Sequence, residues 1–188
     1  MKINRQGKSR TLAREELDLV TKYLPTEKHK LISLVLRKTA GRISEVVALK
    51  YENLTPGTIL FPKQIVKGKL RPREIPISED LFLKLQEWKA NCINQGEEVS
   101  PKDFIFKGRN GHITSRAFQK VLSSAVLKAD LKGFSSHGYR RSSLSAGSDA
   151  GIPIRHLAEL SGHQSMAVLQ EYLTVKREHL EKAVEAFA

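Results

Sequence analysis

HGYRRSSLSAGSDAGIPIRHLAELSGHQSMAVLQEY, residues His137 to Tyr172, decides how this chain is read. From about Tyr139 onward its pattern is helical, punctuated by Gly151, Pro153 and Gly162, which predicts helices broken at those points. The same stretch carries reactive side chains. His137 and Arg140 stand three apart, a Gly162-His163 pair follows, and Tyr172 comes nine residues after His163 and 32 after Arg140. A tyrosine so placed near two histidines and an arginine suggests a phenolic oxygen attacking a phosphate.

Upstream, the hydrophobic period is again mostly helical. Thr11 is positioned to cap a first helix reaching about Leu24, just before Pro25, and a second is expected from about Glu27 to Thr39. A third is expected to begin near Ser44 and to end before the turn at Thr55-Pro56-Gly57. From Thr58 to Ile77 the pattern changes to short runs containing Ile59, Phe61, Ile65, Val66, Ile75 and Ile77, divided by Pro62, Gly68 and Pro72. That reads as a small antiparallel sheet with a basic turn over Lys67 to Arg71. Leu81, Phe82, Leu85, Trp88 and Cys92 share one later helix face, and Phe118, Val121, Leu122, Ala125 and Ala129 share another. A loop containing Phe104-Ile105-Phe106 separates the two. The expected fold class is α+β, mainly α, with residues 1–188 forming one domain.

Composition limits the partners. The 188 residues hold 32 Lys and Arg against 20 Asp and Glu, a net charge of +12, which points to a polyanion such as nucleic acid. Cys92 is the only cysteine, so no internal disulfide or cysteine-based zinc site is possible, and a reducing, cytoplasmic setting is expected. No apolar run approaches the roughly 18 residues a membrane span needs.

A phosphodiester resists attack because its pentavalent transition state gathers still more negative charge than the ground state. Cations must meet that charge. Metal-dependent nucleases use converging carboxylates, and the sequence has no Asp-x-Asp or Glu-x-Lys pair in a promising place. Guanidinium groups can do the same work by donating paired hydrogen bonds to the non-bridging oxygens. Arg140 is one candidate, and Arg42, in Thr39-Ala40-Gly41-Arg42-Ile43-Ser44-Glu45, is the other. Glu45, about one helical turn from Arg42, is suited to hold a cationic partner in place. His137 and His163 are suited to proton handling beside the phenol. The departing 5′ oxygen also needs a proton, and a lysine on the basic turn, Lys67 or Lys69, can deliver it.

In order and spacing, these residues resemble the catalytic domain of the tyrosine recombinase (phage integrase) superfamily. Arg42, Lys67, His137 with Arg140, His163 and Tyr172 fall on its catalytic positions, and Glu45 on its acidic one. The resemblance begins at Thr11 and covers nearly the whole chain, although Lys67-Gly68-Lys69 leaves the lysine open between two residues. It implies strand cutting and rejoining through a 3′-phosphotyrosyl bond, without metal or nucleotide cofactor. It also implies four protomers acting on two duplexes. The superfamily's N-terminal clamp domain has no counterpart in these residues. Two other readings share the pattern: a regulator that binds DNA without cutting it, and a type IB topoisomerase-like relaxing enzyme.

Lys69, Arg71, Arg73, Arg141 and Arg155 are further candidates for phosphate contacts, whereas His29, His112, His156 and His179 read as structural or surface residues. After Tyr172, Leu180, Val184 and Phe187 recur at i, i+4 and i+7 on a short amphipathic helix. Such a helix is marginal alone and must pack somewhere, either on its own core or, as the resemblance implies, on a neighbouring protomer.

Overall fold

In the computed structural model, residues 9–66, 68, 71–163, 165–170, 173, 180–181 and 184–185 are described. Lys67, Lys69, Tyr172, His179 and Phe187 lie outside them. The described chain is mainly helical, with two small antiparallel sheets.

Helix α2 (Glu27–Thr39) has the bounds its sequence predicts. Thr26 accepts a hydrogen bond from the His29 amide at its start, and Ala40 leaves it in the left-handed region (φ 48°). Ile32, Val35 and Leu36 on this helix are fully buried in the main core. Helix α1 (Arg14–Lys22) begins later than expected. Its cap is Ala13 rather than Thr11, because Glu16 reaches back to accept from the Ala13 amide at 2.9 Å.

The third helix is also shorter than its sequence suggests: α3 spans Ile43–Val47. Beyond it the backbone finds partners in a distant segment, with Ile105 N–H donating to Leu49 O, Tyr51 N–H to Asp103 O and Glu52 N–H to Pro101 O. Those bonds satisfy groups that a longer helix would have used internally. The expected sheet forms from β1 (Leu54–Thr55), β2 (Thr58–Phe61) and β3 (Arg73–Pro76), in that order and all antiparallel. Ile59 pairs with Ile75 and Phe61 with Arg73. Pro76 is tolerated because β3 lies at the edge.

Helices α4 (Glu79–Asn94) and α5 (Ser115–Lys128) bury the predicted faces, through Leu81, Leu85 and Cys92 and through Phe118, Leu122 and Ala125. The loop between them contains a two-stranded hairpin, β4 (Lys107–Gly108) with β5 (Gly111–His112), too short to show an alternating pattern in sequence. Helix α6 (Ser136–Asp149) then carries the buried Tyr139, whose phenol accepts from Ser33 Oγ at 2.9 Å and so locks α6 against α2. Helices α7 (Ile154–Ser161) and α8 (Met166–Gln170) close a smaller core of Ala40, Leu144, Leu157, Ala158 and Leu169, against which Leu173 also packs. Leu180 and Val184 are exposed. No helix among the described residues is long and apolar enough to cross a membrane.

Candidate active site

Five places along the chain supply the site: the end of α2, the start of α3, the start of β3, the second turn of α6 and the end of α7. Gly162 terminates α7 at φ 67°, with Gly162 N–H donating to Glu159 O and His163 N–H to Ala158 O. That double closure leaves the Ser161 carbonyl without an intrahelical donor. Two arginines take it up: Arg140 Nη2 at 2.7 Å and Arg73 Nη1 at 3.0 Å. Arg140 also donates through Nη1 to Ala40 O at 2.8 Å, so it ties the end of α2 to the end of α7. Only 2% of it is exposed.

At the start of α3, Arg42 and Glu45 hold one another twice. The Arg42 amide donates to Glu45 Oε2 at 3.1 Å and Arg42 Nη1 to Oε1 at 2.9 Å. Gly41 is required just before this turn, because a Cβ there would stand 2.9 Å from Val46 Cγ2. Glu45 is fully buried, and its Oε2 also accepts from Arg73 Nη2 at 2.9 Å. One carboxylate therefore aligns two guanidinium groups.

Burial raises the Glu45 pKa, but the Arg73 charge and the Arg42 hydrogen bonds outweigh it, so the net shift is downward from 4.5. With a depressed native pKa, this stabilisation is complete above about pH 4.5 and is lost as pH falls through the lowered value. Glu45→Ala leaves two arginines facing an empty, buried acceptor position. It is expected to cost about 3–5 kcal/mol of stability, read as a lower midpoint in urea unfolding. A midpoint unchanged from wild type would remove Glu45 from this structural role.

Arg73 differs from the surface contacts it was grouped with. Arg71 and Arg155 are exposed, and Arg71 pairs with Glu159 at 2.8 Å across the surface, whereas Arg73 is only 7% exposed. Its guanidinium carbon lies 4.9 Å from the Phe61 ring centroid, and both terminal nitrogens are committed to protein acceptors. Strand alternation explains this placement, since Arg73 and Ile75 both point inward on β3. Arg141 is half-buried on α6.

His163 follows the α7 cap and meets this cluster. Arg140 Nη2 lies 3.3 Å from each of its ring nitrogens, and Ser161 Oγ lies 2.7 Å from Nδ1. Burial first, then the charges of Arg140, Arg42 and Arg73, push its pKa down to about 4. The ring is therefore neutral at pH 7. His137, in the first turn of α6 and three residues before Arg140, is exposed. It borders an open cleft of about 1050 Å³ that Arg116, Gln119 and Lys120 also line.

The structure thus brings Arg42, Glu45, Arg140 and His163 together and adds Arg73 and Ser161. Lys67, Lys69 and Tyr172 cannot be placed in it, being outside the described residues. Of the other described histidines, two are engaged elsewhere and one sits on the surface. His29 bonds to Thr26 and stacks on Phe118, His112 bonds to the Ile113 carbonyl, and His156 is exposed. Among the described residues no group of three or more His, Cys, Asp or Glu side chains is arranged to hold a metal ion.

Three comparisons bear on this arrangement. Tyrosine recombinase XerA of Pyrococcus furiosus is 29% identical over 180 residues, covering 94% of this chain and 61% of the relative. The chain thus spans about three-fifths of that relative's length. The fold matches the crystal structure of XerA recombinase with a TM-score of 0.78 at 17% identity, over 97% of this chain and 66% of that one. It matches XerH site-specific recombinase, solved in a pre-cleavage complex with its difH substrate, with a TM-score of 0.74 at 21% identity, over 99% of this chain and 56% of that one. The phage integrase family pattern extends over residues 10–179, and the chain belongs to that family.

Proposed function

We propose that this chain is the catalytic part of a site-specific DNA recombinase that cuts and rejoins strands through a 3′-phosphotyrosyl intermediate. The observation that carries this reading is the convergence of Arg42, Arg140 and a neutral His163 in a chain of net charge +12. Among the described residues Arg42 uses one guanidinium nitrogen, Nη1, on Glu45, and its side chain is 21% exposed. Donors therefore remain to grip a phosphate. The homologue solved on its DNA substrate supports the same partner.

In this reading the Tyr172 oxygen attacks the scissile phosphorus, forming a P–O bond as the bond to the 5′ oxygen breaks. Arg42 and Arg140 stabilise the charge on the non-bridging oxygens, and Lys67 protonates the departing 5′ oxygen. His137 and His163 manage protons and orient the phosphate. Leu169 and Leu173, which bracket Tyr172 in sequence, both pack on the smaller core beside α7. That anchorage supports delivery of the phenol to the His163 end of the helix. Glu45 and Arg73 are assigned to support, with no metal ion and no nucleotide. Lys69, Arg71, Arg141 and Arg155 are assigned to the DNA backbone. Four protomers on two duplexes, joined through the tail that bears the exposed Leu180 and Val184, complete the assembly.

Two duplexes with distinguishable flanks test the whole reading. Products that combine flanks from both indicate recombination. Loss of supercoils without exchange indicates the topoisomerase-like activity, and binding without cleavage indicates a regulator.

The lysine is separable by leaving-group chemistry. Lys67→Ala is expected to lose cleavage on normal DNA and to regain it on a substrate with sulfur as the 5′ bridging atom, which needs little protonation. Lys69→Ala is expected to show only a salt-sensitive loss of binding. The reverse pattern assigns the proton donor to Lys69.

A further inference from the structure

Arg73 stands between the two arginines assigned to the phosphate. Its Nη2 donates to Glu45 Oε2 at 2.9 Å, and Glu45 in turn accepts from the Arg42 amide and from Arg42 Nη1. Its Nη1 donates to the Ser161 carbonyl at 3.0 Å, the same oxygen that Arg140 Nη2 reaches at 2.7 Å. Arg42, Glu45, Arg73, Ser161 and Arg140 thus form one continuous run of hydrogen bonds, with a carboxylate on one side of Arg73 and a carbonyl on the other. The two outer nitrogens of a guanidinium lie in one rigid plane. Holding that plane therefore holds the start of α3 at a set distance from the end of α7.

The surroundings hold it closely. Phe61, the partner of Arg73 across β2 and β3, places its ring centroid 4.9 Å from the guanidinium carbon. A Cβ on Gly162 would stand 2.5 Å from Arg73 Nη1, so the guanidinium fills the space that any side chain at 162 would need. The buried Nε has no hydrogen-bond partner among the described residues. Stability does not account for such a seat, because a buried ion pair adds little over apolar residues packed in its place and an unsatisfied donor costs more. Nor does direct contact with DNA, because the side chain is 7% exposed and both outer nitrogens already hold protein acceptors.

We propose that Arg73 is a positioning residue that sets the spacing between Arg42 and Arg140, so that, on the reading given under Proposed function, both guanidinium groups meet one phosphate at once. Arg42 precedes α3 and Arg140 lies on α6, about a hundred residues on, and each is fixed to a different acceptor of Arg73. Its task is geometric rather than electrostatic. A lysine at this position keeps the positive charge opposite Glu45, but an ammonium on a flexible stem does not reproduce the fixed fork that spans the carboxylate and the carbonyl. Arg73 thereby supports the phosphate site without touching the phosphate.

Arg73→Lys and Arg73→Met in the full chain, studied well below their melting temperatures, test this. Both are expected to slow single-turnover cleavage at saturating DNA by about 10²-fold, the scale of a small misplacement of catalytic groups. The dissociation constant for duplex and its salt dependence are expected to stay at wild-type values, whereas loss of a direct phosphate contact would reduce the salt slope by about 1. Inorganic phosphate added to the DNA-free chain and followed by ³¹P relaxation is expected to bind about tenfold more weakly to both variants, and to Arg42→Ala, than to wild type. Wild-type cleavage by Arg73→Lys overturns the proposal, as does a reduced salt slope, an unchanged phosphate affinity, or loss of the cooperative thermal transition in both variants. Because phosphate binding requires no cleavage, a chain whose phosphate affinity falls in Arg73→Lys yet which cuts no DNA would refute the proposed function and leave the positioning role standing.

Discussion

Tyr172→Phe is expected to abolish every covalent protein–DNA product while duplex binding persists. The substitution removes one oxygen and keeps the ring, so the contacts that Leu169 and Leu173 make with the smaller core on either side in sequence are undisturbed. A phenolate is both a competent nucleophile and a tolerable leaving group, which lets the ester be passed to another strand rather than lost to water. A denaturing gel with end-labelled DNA reads the adduct, and a mobility shift reads binding. An adduct that survives the substitution would move the nucleophile to another residue.

Arg140→Ala is expected to slow single-turnover strand cleavage by about 10²-fold or more, the scale of losing one donor aimed at developing charge. It should also lower stability, for a reason visible in the fold. Arg140 Nη1 and Nη2 occupy the buried carbonyls of Ala40 and Ser161, and removing them strands both acceptors at about 1–3 kcal/mol each. Comparing cleavage well below the melting temperature of the variant separates the two effects. Near-normal cleavage by folded Arg140→Ala would sink its role in transition-state stabilisation. Arg42→Ala should match it in rate with a smaller loss of stability, since Arg42 bonds chiefly to the neighbouring Glu45.

Arg42, Glu45, Arg140 and His163, which the structure gathers, were legible in sequence because their signals are local and chemical. Arg140 ends a His-x-x-Arg run, Glu45 follows Arg42 by one turn, and Gly162 announces the end of a helix just before His163. Arg73 was harder to read, because an arginine in a basic chain is by default a surface charge. The clue was its alternation with Ile75, which places both on the inner side of β3. Ser161 gave no signal of its own, since a serine beside a helix-ending glycine looks like ordinary polar punctuation. Its role emerges only once the α7 carbonyls are placed around it.

The fold shows the same division. Helix α2 was bounded correctly, and its start is marked locally by the Thr26 cap. Helix α3 was overrun because residues 101–105, distant in sequence, compete for the backbone beyond Val47. The small antiparallel sheet was visible through Ile59, Phe61 and Ile75, while β4 and β5, at two residues each, left no periodicity to find. The mainly helical class followed from the long amphipathic stretches and was reinforced by the resemblance.

The most direct measurement uses a pool of duplexes nicked near the cleavage position and randomised across it, incubated with the wild-type chain in excess EDTA. The nick lets the short 5′-hydroxyl fragment diffuse away and traps any covalent intermediate. The account predicts a protein–DNA adduct that resists denaturation and, after proteolysis, a 3′-phosphate linked to the peptide containing Tyr172. Absence of adduct without added magnesium but formation with it, or an adduct on a different residue, would contradict it.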